Sequence, residues 1–508
     1  MKKEKILVHL TSEVAPFYKR GGLADVVGSL PYNLGAEYDN IVISFFYQHR
    51  MNHLEDVPRQ EFFMEIHGVD YRCYYYKVIK GEVTFYFLNL EDENIFSDSE
   101  AGNSNKPANG DAPYVAAIPI MAYFYFAKAF LTLIRMLDIS FEFLILHDWH
   151  VCGIFGFPEQ LDQLKKKQSF LSMLLIHNFE FQGDILPDVF SCMDPETKER
   201  VDAVNRKFGS VTLLSLGLEY ADIVSTVSEN YARELGEKHL PHSGFKFLEG
   251  KEKKIKSLPN GVDRGLWHPA TSPHLVLNYD ENTAHAKDFY KKQLCLDAGF
   301  ASDQAPVLLF MARLTHQKGI SFLLDFREQA EKAFCDLENV LRTGVNLVVF
   351  GNPGGGLSGR IHKYFLQAGE EFKGRFYYDW KYSDEKAHQM LAGADMLLAP
   401  SLFEPCGLVQ LYAMSFGAVP LVRPTGGLKD TVIDFYAQPD QATGFHIPGY
   451  TREGLVSAIQ TAADLYSHQR EAWDQLRIRG MLTDWSWNRM NSAYDRLFRM
   501  VRSNTLYI

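Results

Sequence analysis

The sequence contains no C-x-x-C pair: its six cysteines, Cys73, Cys152, Cys192, Cys295, Cys335 and Cys406, stand singly along 508 residues. Such spacing builds neither a zinc knuckle nor a disulfide framework, and it suits a reducing compartment. No D-x-D pair occurs, which removes the usual carboxylate pair that bridges a metal cation to a sugar nucleotide. Nor is there an excess of positive charge. With 52 Lys and Arg against 63 Asp and Glu, the net charge of −11 excludes nucleic acid and anionic membranes as main partners. A local cluster of cations can still hold a small anion. The N-terminal MKKEKILVHL has no apolar leader core, and the most apolar stretch, residues 112–137, is interrupted by Pro119 and carries Lys128 and Arg135. It reads as a buried helix and not a membrane span, and the expected setting is the cytoplasm. Aromatics at 14% suit large cores and sugar-stacking surfaces alike.

What is present is alternation. Apolar, β-branched runs at residues 6–10, 41–46, 143–146, 171–176, 223–226, 307–310, 347–350, 396–399 and 419–422 are separated by helical patterns. Such runs predict parallel strands covered on both faces, an α/β architecture of β-α-β units. Leu23, Val26, Val27 and Leu30 follow a helical period that is expected to stop at Pro31. The charged stretch 251–256 leads into Leu258-Pro259-Asn260-Gly261, and the alternation restarts at Val307. Two doubly wound, Rossmann-like halves facing across a cleft are therefore expected, 1–257 and 258–485. Lys165-Lys166-Lys167 and the lysines of 251–256 read as solvated charge runs.

Four places could carry chemistry. Strand 6–10 leads to Lys19-Arg20-Gly21-Gly22 and a helix, and strand 419–422 leads to Thr425-Gly426-Gly427 and a helix starting near Leu428. Each Gly-Gly turn either caps its helix or lets the backbone close on an anion. Arg313 and Lys318 lie on the loop after strand 307–310, where ligands of doubly wound folds bind, and two cations there would neutralise a departing diphosphate. Glu404, in Glu404-Pro-Cys-Gly-Leu408, is placed either to bond sugar hydroxyls or to favour a helix dipole. His147 and His150 close strand 143–146, without the further ligand spacing that a metal would need. Cys406 reads as a small buried residue and not a nucleophile.

At this point the motifs form a set. Lys19-x-Gly-Gly-Leu-Ala-Asp-Val, His147-Asp-Trp-His, His177-Asn, Val224-Ser-Thr-Val-Ser, Pro259-Asn-Gly-Val-Asp, Arg313-Leu-Thr-x-Gln-Lys-Gly, Glu404-Pro-Cys-Gly-Leu and Thr425-Gly-Gly-Leu resemble the bacterial glycogen synthase and plant starch synthase family. The resemblance implies a retaining GT-B glucosyltransferase without metal or other cofactor. It would carry glucose from ADP-glucose, or UDP-glucose, to the non-reducing end of an α-1,4-glucan. Lys19 and Gly22 would then hold diphosphate or glucose, and Arg313 and Lys318 would stabilise the leaving diphosphate. Glu404 would bind glucose hydroxyls, with Cys406, Gly407 and Leu408 beside it in the nucleotide-sugar site. Thr425 and Gly426 would complete the phosphate cradle, and His147 would sit by the reacting sugar. Counting back from Ala392-Gly-Ala-Asp395, Tyr382 matches the base-stacking tyrosine. A closing helix, about 486–508, would return to the first domain.

Three departures stand out. The family's Asp-Asn-x-x-Arg-Phe is replaced by Ile118-Pro-Ile-Met-Ala-Tyr123, with Asp111 a substitute only if the preceding loop has shifted. Leu402 stands for the usual Arg, and Ile176 for a common Thr. The change at Ile176 is conservative, but Ile118 and Leu402 motivate two alternatives: a catalytically weak glucan-binding or regulatory homologue, and a glucosyltransferase with a different acceptor.

Overall fold

The computed structural model describes residues 5–47, 50–54, 56–66, 68–91, 120–186, 189, 193–237, 255–326, 334–354 and 356–503. These divide into two compact units. The first draws on Met1–Asn105, Tyr114–Gly261 and Met490–Ile508, and the second on Val262–Arg489. Asp111, Ile118 and the lysines at 251, 253 and 254 lie outside the described residues.

The first unit is built on β1 (Ile6–Thr11), β2 (Asp39–Phe45), β3 (Arg59–Ile66), β4 (Val69–Lys80), β5 (Val83–Leu90), β6 (Phe143–His147), β7 (Leu171–Ile176), β8 (Ile223–Thr226) and β9 (Lys256–Ser257). They form one sheet in the order β3-β4-β5-β2-β1-β6-β7-β8-β9. Neighbours from β5 to β9 run parallel, whereas β3, β4 and β5 are paired antiparallel. The second unit holds β10 (Val307–Met311), β11 (Asn346–Phe350), β12 (Phe376–Asp379), β13 (Met396–Ala399), β14 (Val419–Val422) and β15 (Phe445–His446). These six are all parallel, in the order β12-β11-β10-β13-β14-β15. In each sheet the winding reverses direction, beside β1 and β6 in one and beside β10 and β13 in the other. A crevice opens there, beyond the carboxyl ends of the strands.

The local reasons are plain. Every residue of β6, β10, β11, β13 and β14 is buried, so their sequences are apolar throughout except for His147 at the end of β6 and Asn346 at the start of β11. β3 buries only alternate residues and carries charge on its other face. The first helix does not stop at Pro31 but runs Gly22–Asn33. Pro31 lies in its last turn, where the lost N–H costs one bond, and the Leu34 N–H closes the turn on the Leu30 carbonyl. Lys165 and Lys167 are not merely solvated: Lys165 pairs with Asp222 at 2.8 Å and Lys167 pairs with Asp138, while Lys256 forms part of β9. The helix Trp487–Arg502 is anchored in the first unit. Arg502 reaches Glu142 at 2.6 and 2.8 Å, Asn491 donates to the Asn33 carbonyl, and Phe498 packs on Phe143. No described helix is long and apolar enough to cross a membrane.

One buried ion pair ties the second unit together. Lys291 lies 2.8 Å from Asp395, both almost wholly buried, and Asp395 also accepts the Val307 N–H at the start of β10. Removing one partner of such a pair strands the other charge and costs about 3–5 kcal/mol. Asp395→Ala should therefore lower the unfolding free energy from urea titration by that order, and a change below about 1 kcal/mol would show the pair to be dispensable.

Candidate active site

In the second unit, three loops leave adjacent strands and meet. The loop after β10 carries Arg313 and Lys318, the loop after β13 carries Ser401 to Leu408, and the loop after β14 carries Thr425 to Gly427. The first two are tied by a bond from the Leu402 N–H to the Gln317 carbonyl at 2.7 Å. The second and third touch backbone to backbone, the Gly427 N–H donating to the Glu404 carbonyl at 2.9 Å. A Cβ on Gly426, whose φ is 45°, would sit 1.9 Å from that carbonyl oxygen, and one on Gly427 would sit 2.1 Å from the Cys406 carbonyl oxygen. Only hydrogen fits there. Leu402 works through its main chain, its carbonyl accepting from Arg423, so the missing arginine side chain does not open this junction.

The side chains follow from that framework. Lys318 pairs with Glu404, whose carboxylate also accepts from the Ser401 hydroxyl at 3.0 Å, and Glu404 is buried. Arg313 is half-buried, its carbonyl accepts the Thr315 N–H at 2.9 Å, and its guanidinium makes no hydrogen bond or ion pair to any described residue. The carboxylate is thus paired with Lys318, while Arg313 stands on the same loop as that lysine. The Gln410 amide holds the turn at Cys406 and Gly407 through both of their carbonyls, with Leu408 next, at the N-cap of the helix Val409–Ser415. Thr425 is the N-cap of the helix Gly426–Thr431, which starts two residues before Leu428 and whose first N–H groups receive no side-chain cap. Tyr382 lies apart from this group, beyond β12, two strands away from β10. Its ring stacks on Phe350 at 5.4 Å and is 42% exposed.

In the first unit, the loop after β1 is held by Glu13, a buried carboxylate that accepts the N–H groups of Arg20 and Gly21. Burial pushes its pKa up to about 7. Lys19 pairs with Asp25 at 2.9 Å on the first turn of the helix that begins at Gly22.

The structure corrects the role expected of His147. It is wholly buried with both ring nitrogens engaged, Nε2 to His9 Nδ1 at 3.1 Å and Nδ1 to His177 Nε2 at 3.0 Å. Its ring therefore has no nitrogen to offer a sugar. The histidine that reaches the surface is His177, at the end of β7, half-buried and with no described partner at Nδ1. Its backbone is fixed by Asp148, which accepts the N–H groups of His177 and Asn178 from a strained φ of 62°. His150 stacks on Trp149 in the interior. Among the described residues, no group of three His, Cys, Asp or Glu side chains could hold a metal ion. Sequence reasoning missed Glu13, Asp148, Ser401, Arg423 and the part played by His177, although His177-Asn and the Asp after His147 stood in the motifs it singled out.

Comparison with known proteins fits this geometry. The family described as starch synthase catalytic domain matches residues 5–249, and glycosyl transferases group 1 matches residues 297–475. A glycogen synthase of Syntrophotalea carbinolica is 32% identical over 509 residues, covering 96% of this chain and 97% of that one. The chain belongs to the glycogen synthase family. A glycogen synthase of Bacillus cereus is 28% identical and covers 97% of this chain and 99% of its own. Among solved structures, the catalytic domain of starch synthase IV from Arabidopsis thaliana, bound to ADP and acarbose, matches with a TM-score of 0.83 and 24% identity, over 99% of this chain and all of that one. The fold is GT-B with two Rossmann-like domains, and this glycogen synthase homologue is a glycosyltransferase.

Burial raises the Asp148 carboxyl from its usual value to about 7. Its unfolded form ionises near pH 4, so holding it charged costs stability as pH rises toward 7. Asp148→Asn, which keeps the accepting oxygen, should gain in stability over the wild type as pH rises from about 4 to about 7, by on the order of 1 kcal/mol or more. Parallel pH profiles for the two proteins would contradict this.

Proposed function

We propose that the protein transfers glucose from ADP-glucose to the non-reducing end of an α-1,4-glucan with retention, as a glycogen synthase. The observation that carries this reading is Arg313, a half-buried guanidinium without a described partner, beside Lys318 already paired with Glu404. A local surplus of positive charge at the carboxyl ends of β10 and β13 suits a diphosphate. The names of the curated relatives, and ADP with acarbose in the starch synthase structure, support the same donor and acceptor classes.

Breaking the bond between C1 of glucose and the diphosphate oxygen leaves the electron pair on the diphosphate. Arg313 and Lys318 stabilise that charge in place. Glu404 is held by Lys318 and Ser401, which fixes it as a hydrogen-bonding group for glucose hydroxyls and not as an attacking nucleophile. Attack of the acceptor hydroxyl on the same face, with its proton passing to the leaving phosphate, then gives retention. The exposed face of Tyr382 stacks on the base, Cys406, Gly407 and Leu408 line the sugar end, and Thr425 adjoins the phosphates. In the first unit Lys19 exchanges Asp25 for a phosphate or sugar oxygen near Gly22. His177 takes the place by the reacting sugar that His147 cannot take. No metal or cofactor is required by this scheme. A cytoplasmic setting is supported by Cys73, Cys152, Cys295 and Cys406, which are buried and unbridged.

The test is incorporation of labelled glucose into glycogen, with ADP-glucose and UDP-glucose supplied in parallel. The wild type should incorporate from ADP-glucose, and Lys318→Ala should lose about a hundredfold or more in kcat. No incorporation from either donor, with ADP still bound, would contradict the reading and favour an altered acceptor or a regulatory homologue.

A further inference from the structure

Three histidines in the first unit form a continuous line, of which the transfer scheme uses only the last, His177, and leaves His9 and His147 without a role. His9 lies on β1, His147 ends β6 and His177 follows β7, while Asn40 stands on β2. These are four neighbouring parallel strands in the order β2-β1-β6-β7. Parallel strands lie about 4.8 Å apart, close to the spacing of hydrogen-bonded imidazoles. The ring centroids of His9 and His147 are 5.4 Å apart, and those of His147 and His177 are 5.3 Å apart.

We propose that Asn40 and His9, acting through His147, are positioning residues that hold His177 as its Nε2–H tautomer, leaving Nδ1 as a bare acceptor for a sugar hydroxyl. The direction of the line is set at its far end. The Asn40 amide nitrogen donates to the Tyr38 carbonyl at 3.2 Å, which turns its Oδ1 toward His9 Nε2 at 3.0 Å. An amide oxygen only accepts, so His9 Nε2 carries the hydrogen. Burial keeps the His9 imidazole neutral, with its pKa lowered to about 4, so its Nδ1 accepts. His147 must then donate from Nε2 and accept at Nδ1, and His177 must donate from Nε2. Burial lowers the pKa of His147 as well, and brings that of His177 to about 3, so neither carries a second hydrogen at neutral pH.

The consequence is a choice of ligand chemistry. A bare Nδ1 accepts from a hydroxyl and offers nothing to a phosphate oxygen, so the line gives His177 a preference for the sugar end of a nucleotide sugar. Only the identity of that hydroxyl rests on the glucosyl-transfer reading, since the tautomer follows from this unit alone. His9 and Asn40 are buried in the sheet and act only through the ring nitrogens.

The test uses the full chain with 15N-labelled histidine, in which ring nitrogen shifts distinguish a protonated from a bare nitrogen, and His177→Gln identifies the signal. The wild type should show His177 protonated at Nε2 and bare at Nδ1. Asn40→Leu, or His9→Phe of similar volume, removes the anchor, so His177 should populate both tautomers. In those variants kcat/KM for the nucleotide sugar should fall about five- to tenfold, the loss of one neutral hydrogen bond, with KM for glycogen unchanged. A wild-type His177 protonated at Nδ1, or variants with unchanged His177 signals or unchanged kcat/KM, would overturn the proposal. If neither variant folds, the wild-type spectrum alone decides the tautomer. A wild type that transfers no glucose yet shows the expected nitrogen pattern would sink the functional reading and leave the relay standing.

Discussion

The close approach of two backbones fixes the candidate site of the second unit. Gly426 and Gly427 lie against the carbonyls of Glu404 and Cys406 at distances that admit no side chain, and the Gly427 N–H closes the contact. Because the junction is made of main chain, it is insensitive to most side-chain changes nearby, including Leu402. It also brings the helix start at Gly426 beside a buried carboxylate and its lysine. Substituting either glycine would force the loops apart, and every polar group on them would lose its place together.

Charge balance then follows from position. Lys318 is neutralised by Glu404, and Ser401 steadies the same carboxylate. Arg313 has no such partner among the described residues. A half-buried cation left unpaired costs desolvation with no return, which makes sense where an anionic ligand supplies the partner. In the first unit the corresponding economy is in the interior. Glu13 and Asp148 spend buried carboxylates on loop N–H groups, and the line of imidazoles spends three side chains to fix one nitrogen.

The sequence made the central strands legible because strands buried on both faces must be continuously apolar. All nine runs singled out, from Ile6 to Val422, are strands. The β3–β4 hairpin was missed for the opposite reason: Arg59, Glu61 and Arg72 are exposed on one face and Lys77 on the other, and they break the apolar run. β9 and β15 are two residues long and carry no periodic signal. Arg313, Lys318 and Glu404 were identifiable from their position after strands, since that position alone brings them to one end of the sheet. The error over His147 has a simple source. Its place after an apolar strand is as good a signal for a buried residue as for a catalytic one, and only the positions of His9 and His177 decide between them. Pro31 misled because a proline in a last turn costs a single hydrogen bond.

The central claim is that Arg313 is an anion-binding cation held in readiness. It is tested most directly by calorimetric titration of ADP into the wild type and Arg313→Ala, with thermal melts of both. In Arg313→Ala, ADP binding should weaken about tenfold or more, the worth of a charge-assisted hydrogen bond, while Tm stays nearly unchanged because the guanidinium makes no hydrogen bond or ion pair to a described residue. Equal affinity for ADP, or a lowered Tm in the variant, would show Arg313 to be a structural side chain and contradict the account.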